Sequence, residues 1–243
     1  MTWQPLPPAP IDTDPEGADP RLFIRSVMKA MLVLEAFDAA EPAMGLQRLA
    51  ERTGLGRSAT QRFVHTLEIL GYLRRDPKTL KYSLSNRAFL FVRSILSTNS
   101  ALEQSFHLLS RLAERIGETV SWLEKDGDAA VVIGTVPSPH RTAIILPVGT
   151  RLELASSCAG LFLRNSVDGL GADSIAQGWA ITEADLDHGS LTAAAPVKDV
   201  RGNVIAVINV SILRDRMTAQ EARERIIPAL VEVSREASQI AFG

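Results

Sequence analysis

The chain has 243 residues, 46% hydrophobic and 22% charged, which is enough for one large domain or two small ones. No run approaches the ~18 apolar residues of a membrane span, and the N-terminus lacks a basic-then-apolar signal pattern, so a cytoplasmic location without a membrane partner is expected. The net charge of −2 conceals an asymmetry: residues 1–20 carry four acids and no Lys or Arg, residues 21–97 carry 13 Lys or Arg against 6 acids, and residues 98–243 carry 13 against 18. A basic module joined to an acidic one points to a polyanionic partner for the first.

Residues 1–20 are rich in Pro and acids without an apolar period and are expected to form a disordered tail. From Ser26, a plausible N-cap, Val27, Ala30, Met31, Leu34 and Phe37 recur at helical spacing. LQRLAERT (46–53) is a short helix stopped by Gly54, and a turn through Gly56 leads to a helix from about Arg57 to Leu70. Its expected inner face is Ala59, Phe63, Leu67 and Leu70. Tyr72-Leu73 and residues 81–84 read as two short strands around the Asp76-Pro77 turn. Ser85 to about Leu96 makes a further helix, and Ser-Thr-Asn-Ser at 97–100 is the expected boundary.

Beyond it, 101–116 is amphipathic, and ETVSWLEK and AAVVIGTV form a hairpin around Asp126-Gly127-Asp128. TAIILPV reads as a strand and 155–164 as a helix. AAAPVKD and NVIAVINVSIL are strands around the turn at Arg201-Gly202-Asn203, and Thr218–Ala241 is one long helix. The class is α+β: a helix, helix, turn, helix, hairpin module, then an antiparallel sheet flanked by helices.

A helix-turn-helix needs a small residue where its helices cross and a Gly where the turn takes positive φ, and Ala50 and Gly54 stand in that relation. The second helix leaves Arg57, Ser58, Gln61, Arg62 and His65 on its polar face. In a major groove Arg bonds guanine and Gln bonds adenine bidentately. Ser58 and Thr60, near the helix N-terminus, are placed for phosphate, and Arg74, Arg75, Lys78 and Lys81 lie on the hairpin, where a winged helix touches DNA. A solvated surface helix would explain the polar face alone, but not the Ala-Gly spacing, the wing and the basic segment together.

These residues resemble the isocitrate-lyase-regulator (IclR) family of bacterial transcription factors. LQRLAERTGLGRSATQRFVHTLEILGYLRRD, KYSLSNRAFLF, LAERIGETVSWLEKDGDAAVVIG, SPHRTAIILPVGTRLELASSCAGLFL and AAAPVKDVRGNVIAVINVS follow the family's order over about residues 22–242. The resemblance implies a winged helix-turn-helix domain at 21–84, a linker helix at 85–98 and a GAF-like effector-binding domain at 99–243. It also implies a homodimer, or a dimer of dimers, on a palindromic double-stranded DNA operator. An aromatic or carboxylic acid metabolite is the implied effector, with Cys158, Ala159, Glu183, Thr192, Asn209 and Ser211 lining its pocket by position. Asn209 and Ser211 are two apart on a strand and so share a face, polar inside an apolar run.

The sequence departs from the family in three places. RNSVDGLG between Leu163 and Ala172 is shorter than the usual segment, Leu191 stands where many members have Arg, and the wing lacks its Gly. Arg141 is the candidate replacement cation. The rival readings are a constitutive DNA-binding dimer with a degenerate C-terminal domain and an enzyme carrying an N-terminal winged helix. For the enzyme no phosphate loop is found, and His65, His107, His140 and His188 are scattered, so no catalytic residue, cofactor or metal ligand is assigned. Cys158, the sole cysteine, lacks a paired His in the sequence and reads as a small buried side chain.

Overall fold

A computed structural model describes residues 19, 21–38, 40–164, 171–183 and 189–241. The expected tail, most of the short 164–172 segment and the acids after Glu183 therefore lie outside the described residues. The described chain divides into two compact units, one ending at Ile95 and the other beginning at Leu96.

The first unit is built from α1 (Arg25–Glu35), α2 (Leu46–Thr53), α3 (Arg57–Ile69) and a hairpin of β1 (Leu73–Arg75) and β2 (Tyr82–Leu84). The start of α1 differs from expectation. It begins at Arg25 with Ile24 in the cap position and no side-chain cap, so Ser26 lies inside the first turn. Its buried residues are Met28 and Val33, while Val27 and Met31 are exposed. Apolar residues lie on more than one side of this helix, and packing against α2 and α3 selects which side is covered. Helix α2 ends where expected, because Gly54 takes φ 68, a left-handed conformation costly for any side chain. On α3 the buried positions are Thr60, Val64 and Leu67, with Phe63 half-buried and Leu70 exposed, so the inner face is turned from the expected one.

The core of this unit gathers Val33, Phe37, Met44, Leu49, Val64, Leu67 and Leu73. Met44 extends the hairpin by a two-way backbone bridge to Tyr82, at 2.9 and 2.8 Å. Arg48 and Arg52 on α2 bond Glu41, and Arg52 also bonds Asp38. The backbone N–H of Glu41, then Arg52, hold the Asp38 carboxyl below its ordinary range; Arg48 does the same first for Glu41. These cations tie α2 to the turn before it.

A 3-10 turn (Asn86–Ala88), capped by Ser85, leads into α4 (Phe89–Thr98). The second unit continues with α5 (Ser100–Ile116), β3 (Thr119–Asp126), β4 (Ala129–Val136), β5 (Arg151–Glu153), α6 (Gly160–Leu163), α7 (Gly171–Gln177), β6 (Ala180–Glu183), β7 (Ser190–Lys198), β8 (Val204–Leu213), α8 (Ala219–Arg225) and α9 (Ile227–Ile240). The sheet order is β5-β4-β3-β8-β7-β6, every neighbouring pair antiparallel.

One face packs on α5 and α9 through Trp122, Ile208, Ile212, Leu109, Leu112 and Leu230. The other packs on Leu146 and the 152–163 stretch through Leu123, Val207, Ala180 and Ala194, against Cys158 and Phe162. Cover on both sides is why SLTAAAPV is buried throughout rather than alternating.

Four expectations change here. TAIILPV forms no strand; Leu146 turns into the core, Pro147 cannot donate to a ladder, and β5 follows at 151–153 instead. The 155–164 helix contracts to the single turn of α6, and α7 and β6 were not anticipated. The closing helix is split at Ile226, where Pro228 brings a ring and no N–H into what would have been a helix interior.

Candidate nucleic-acid interface and effector site

Arg57, Ser58, Gln61, Arg62 and His65 are all exposed on α3, as the polar-face reading requires. Thr60 is not with them. It is fully buried, and its hydroxyl donates to the carbonyls of Gly56 at 3.2 Å and Leu55 at 3.5 Å. Its assignment to DNA is therefore corrected: it fastens the first turn of α3 to the preceding loop.

On the wing, Arg74 bonds Ser83 at 3.0 Å and Arg75 lies over the Tyr82 ring at 5.5 Å, while Lys78 and Lys81 are exposed. The turn between the strands is made by Asp76, whose carboxylate accepts the backbone N–H groups of Thr79 and Lys78 at 2.7 and 2.8 Å. Those two bonds, Thr79's first, hold the Asp76 carboxyl below its ordinary range. Leu80 adopts φ 57, a left-handed conformation that a Gly would take without strain. A groove of about 350 Å³ runs beside α3, with Lys29 and Ser26 of α1 facing Arg62 and Thr66 across it. Lys29 was not singled out in the sequence because a lone Lys on an apolar helix carries no signal.

In the second unit the register aligns a polar row on the face covered by residues 152–163. Ser121 pairs with Asn209 and Thr135, and Ser211 pairs with Thr119 and Thr192. Cys158 and Ala159 are fully buried beside this face, the Cys158 thiol 3.7 Å from the Thr192 carbonyl. Among the described residues, the buried Thr192 hydroxyl and the Asn209 amide oxygen have no hydrogen-bond partner. Thr192, Asn209, Ser211, Cys158 and Ala159 are thus brought together.

Glu183 is not among them, and its assignment is corrected. It pairs in register with Leu191 rather than Thr192, so it points to the opposite face, where Arg214 meets it at 2.8 Å. The strand that decides this, β6, was not read from sequence. Arg141 is exposed on the loop after β4. The cation engaged at that end of the sheet is Arg216, which bonds both oxygens of buried Glu118 at 2.8 and 2.7 Å and also the Thr142 carbonyl. Thr119, Ser121 and Thr135 were missed. The alternation of Thr and Ser with Val and Trp in TVSW is the same signal that supports Asn209 and Ser211.

Two family models match the chain. The model of the IclR helix-turn-helix domain covers residues 26–77, and that of the bacterial transcriptional regulator IclR C-terminal domain covers 172–239. The chain belongs to the IclR family. It is a transcriptional regulator with a DNA-binding helix-turn-helix and an effector-binding C-terminal domain.

Among its relatives, the Pca regulon regulatory protein of Pseudomonas putida is 26% identical over 91% of this chain and 85% of its own. The p-hydroxybenzoate hydroxylase transcriptional activator of Acinetobacter baylyi is 24% identical over 88% and 90%. In fold, an IclR family transcriptional regulator from Brucella abortus superposes with a TM-score of 0.78 at 22% identity, covering 95% of this chain and 97% of that one. An IclR homologue of Microbacterium hydrocarbonoxydans, solved with 4-hydroxybenzoate, gives 0.76 at 16% identity over 89% and 98%. The α+β architecture is that of the IclR structures.

Proposed function

We propose that this IclR-family chain is a cytoplasmic, non-enzymatic regulator that binds a palindromic operator as a homodimer, or a dimer of dimers, and senses an aromatic acid. Residues 21–84 are the DNA-binding domain, 85–98 the linker helix that couples it to the effector domain, and 99–243 the effector domain. Arg57, Ser58, Gln61, Arg62 and His65 face the major groove, and Arg74, Arg75, Lys78 and Lys81 the flanking backbone. Exposed Val27 and Met31 on α1 and Phe89, Leu90 and Val92 on α4 are apolar side chains that a second copy would cover.

The observation that carries the sensing role is the pair of unmatched buried polar atoms, on Thr192 and Asn209. Burying such a group without a partner costs about 1–3 kcal/mol, and a ligand or ordered water relieves that cost. Two relatives that control aromatic-acid genes, and a structural neighbour that binds 4-hydroxybenzoate, support the choice of ligand class.

A hydroxybenzoate at one hundred times its dissociation constant should stabilise the native protein by about 2.7 kcal/mol and raise its melting temperature. A screen of small aromatic and aliphatic carboxylic acids that moves the transition for none of them would favour the constitutive dimer. Where an acid does bind, its coupling to operator affinity comes from differential affinity for the two dimer arrangements.

For the DNA interface, Arg62→Ala should weaken operator binding by about 1–3 kcal/mol while leaving nonspecific binding nearly unchanged. Thr60→Val should leave operator affinity unaltered, because its hydroxyl faces the protein. Competitive binding to operator and random duplexes separates these outcomes; equal loss on both duplexes for Arg62→Ala would make it a phosphate contact.

A further inference from the structure

We infer that Ser121 and Thr135 are specificity-determining residues of the effector site, and that with Asn209 they receive an un-ionised hydroxyl of the ligand rather than a carboxylate. The inference rests on the reading of this sheet face as the effector site.

The Thr135 hydroxyl lies 2.7 Å from the Leu146 carbonyl, which can only accept, so the one proton of Thr135 is committed there. Ser121 lies 3.0 Å from Thr135, where either oxygen could donate by geometry alone. With the Thr135 proton already spent, Ser121 is the donor of that pair. The chain of bonds thus runs from Ser121 to Thr135 to the Leu146 carbonyl, and it leaves Ser121 presenting only lone pairs. Ser121 is fully buried and pairs in register with Asn209.

Asn209 adds to the same demand. Its amide nitrogen reaches Ser211 at 3.4 Å, and its buried oxygen has no donor among the described residues. Turning the amide over would exchange which atom meets Ser211 and leave an N–H unmatched instead. An un-ionised hydroxyl has one proton to donate and lone pairs to accept with, so with the Asn209 amide turned over it donates to Ser121 and accepts the Asn209 N–H, and otherwise its proton goes to Ser121 or to the Asn209 oxygen. A carboxylate only accepts, and would set its charge against the Ser121 lone pairs inside a desolvated site.

Two cations that follow elements at the ends of this sheet are engaged elsewhere. Arg216 holds Glu118 and the Thr142 carbonyl, and the Arg164 Nε donates to the Gly160 carbonyl at 3.1 Å. The hydroxyl relay also reaches the β4–β5 loop, because Leu146 of that loop is fully buried in the apolar core below the face.

The test is calorimetric titration of the full-length protein with 4-hydroxybenzoate and with benzoate. One hydrogen bond to a buried acceptor pair contributes about 1 kcal/mol, so the wild type should prefer 4-hydroxybenzoate by roughly five- to tenfold. In Ser121→Ala and Thr135→Val that preference should fall to within about twofold, and Thr135→Ser, which keeps the relay, should restore it. Ser121→Ala removes only one oxygen, and so keeps the test available if Thr135→Val folds poorly. Equal affinity for the two acids, or a preference that survives in both Ser121→Ala and Thr135→Val, would overturn the relay while leaving the aromatic-acid reading in place. Binding of neither acid would remove that reading and this inference with it.

Discussion

Gly160→Ala is expected to cost the C-terminal unit about 3 kcal/mol or more, the upper end of what overpacking does. A Cβ at this position would lie 2.0 Å from the Leu154 carbonyl oxygen, 2.6 Å from its carbon and 2.7 Å from the Leu154 Cα. All three are backbone atoms, so no side-chain rotation relieves the clash. The loop between β5 and α6 must move, and with it Cys158 and Ala159, which are fully buried beside the polar row. Gly160 has no need of a left-handed conformation; what it provides is closeness between two stretches of backbone. Two of the chain's three tryptophans, Trp122 and Trp179, lie in this unit, so tryptophan fluorescence during urea unfolding in a Trp3→Phe background reports on it directly. A Gly160→Ala protein with wild-type stability would mean that the loop yields freely. The prediction extends to ligand: the variant should lose the thermal shift with 4-hydroxybenzoate even at a temperature where it is folded.

Arg216→Ala is expected to be the other severe change, at about 3 kcal/mol, because it leaves a buried carboxylate without its partner. The Glu118 side chain is 2% exposed, whereas that of Arg216 is 26% exposed, so the pair sits at the edge of the core. That asymmetry places the cost in the uncompensated Glu118 charge rather than in the lost attraction. Glu118→Gln in the same protein should therefore recover part of the loss, and a double-mutant cycle in chemical denaturation measures how much. The same guanidinium bonds the Thr142 carbonyl, and Ser138 donates from its hydroxyl to Gly117 at 2.7 Å and from its backbone to Thr119 at 3.1 Å. The 138–142 stretch is thereby held to the end of the sheet. Exposed Arg141 in this stretch should become a faster trypsin site in Arg216→Ala, and an unchanged cleavage rate would show that Ser138 alone holds it.

Much of the first unit was legible because its signals are local. Gly54 ends α2 by its own φ, the Asp76-Pro77 turn is made by the side chain of Asp76 itself, and the polar residues of α3 need only a period of 3.6 to share a side. The errors there were errors of rotation. Thr60 sits where an apolar residue would normally be sought, and Leu70 and Met31 are apolar residues left outside. Composition cannot choose between two adjacent stripes of one helix; the neighbouring helices do.

The second unit shows where local reasoning ends. The family resemblance named Asn209 and Ser211 by position, and strand alternation agreed by putting both on one face. Thr135 could not be found that way. It shares a face with Val132, three residues earlier, because the register slips between Trp122 and Leu123 and absorbs the odd residue. Glu183 was misplaced for want of the β6 pairing, and the Glu118–Arg216 bond joins residues 98 apart in the chain.

What the amino-acid order determines alone is thus whatever a residue does through its own backbone or its neighbours within a turn: helix ends, hairpin turns, the charge division between the two halves, and the family. Only the tertiary structure decides which side of a helix is covered, which face a strand residue serves once a bulge intervenes, and which buried polar atoms are left without a partner. Each of those depends on groups brought close by the fold and distant in sequence, and a hydrogen bond or a clash acts only over that spatial distance.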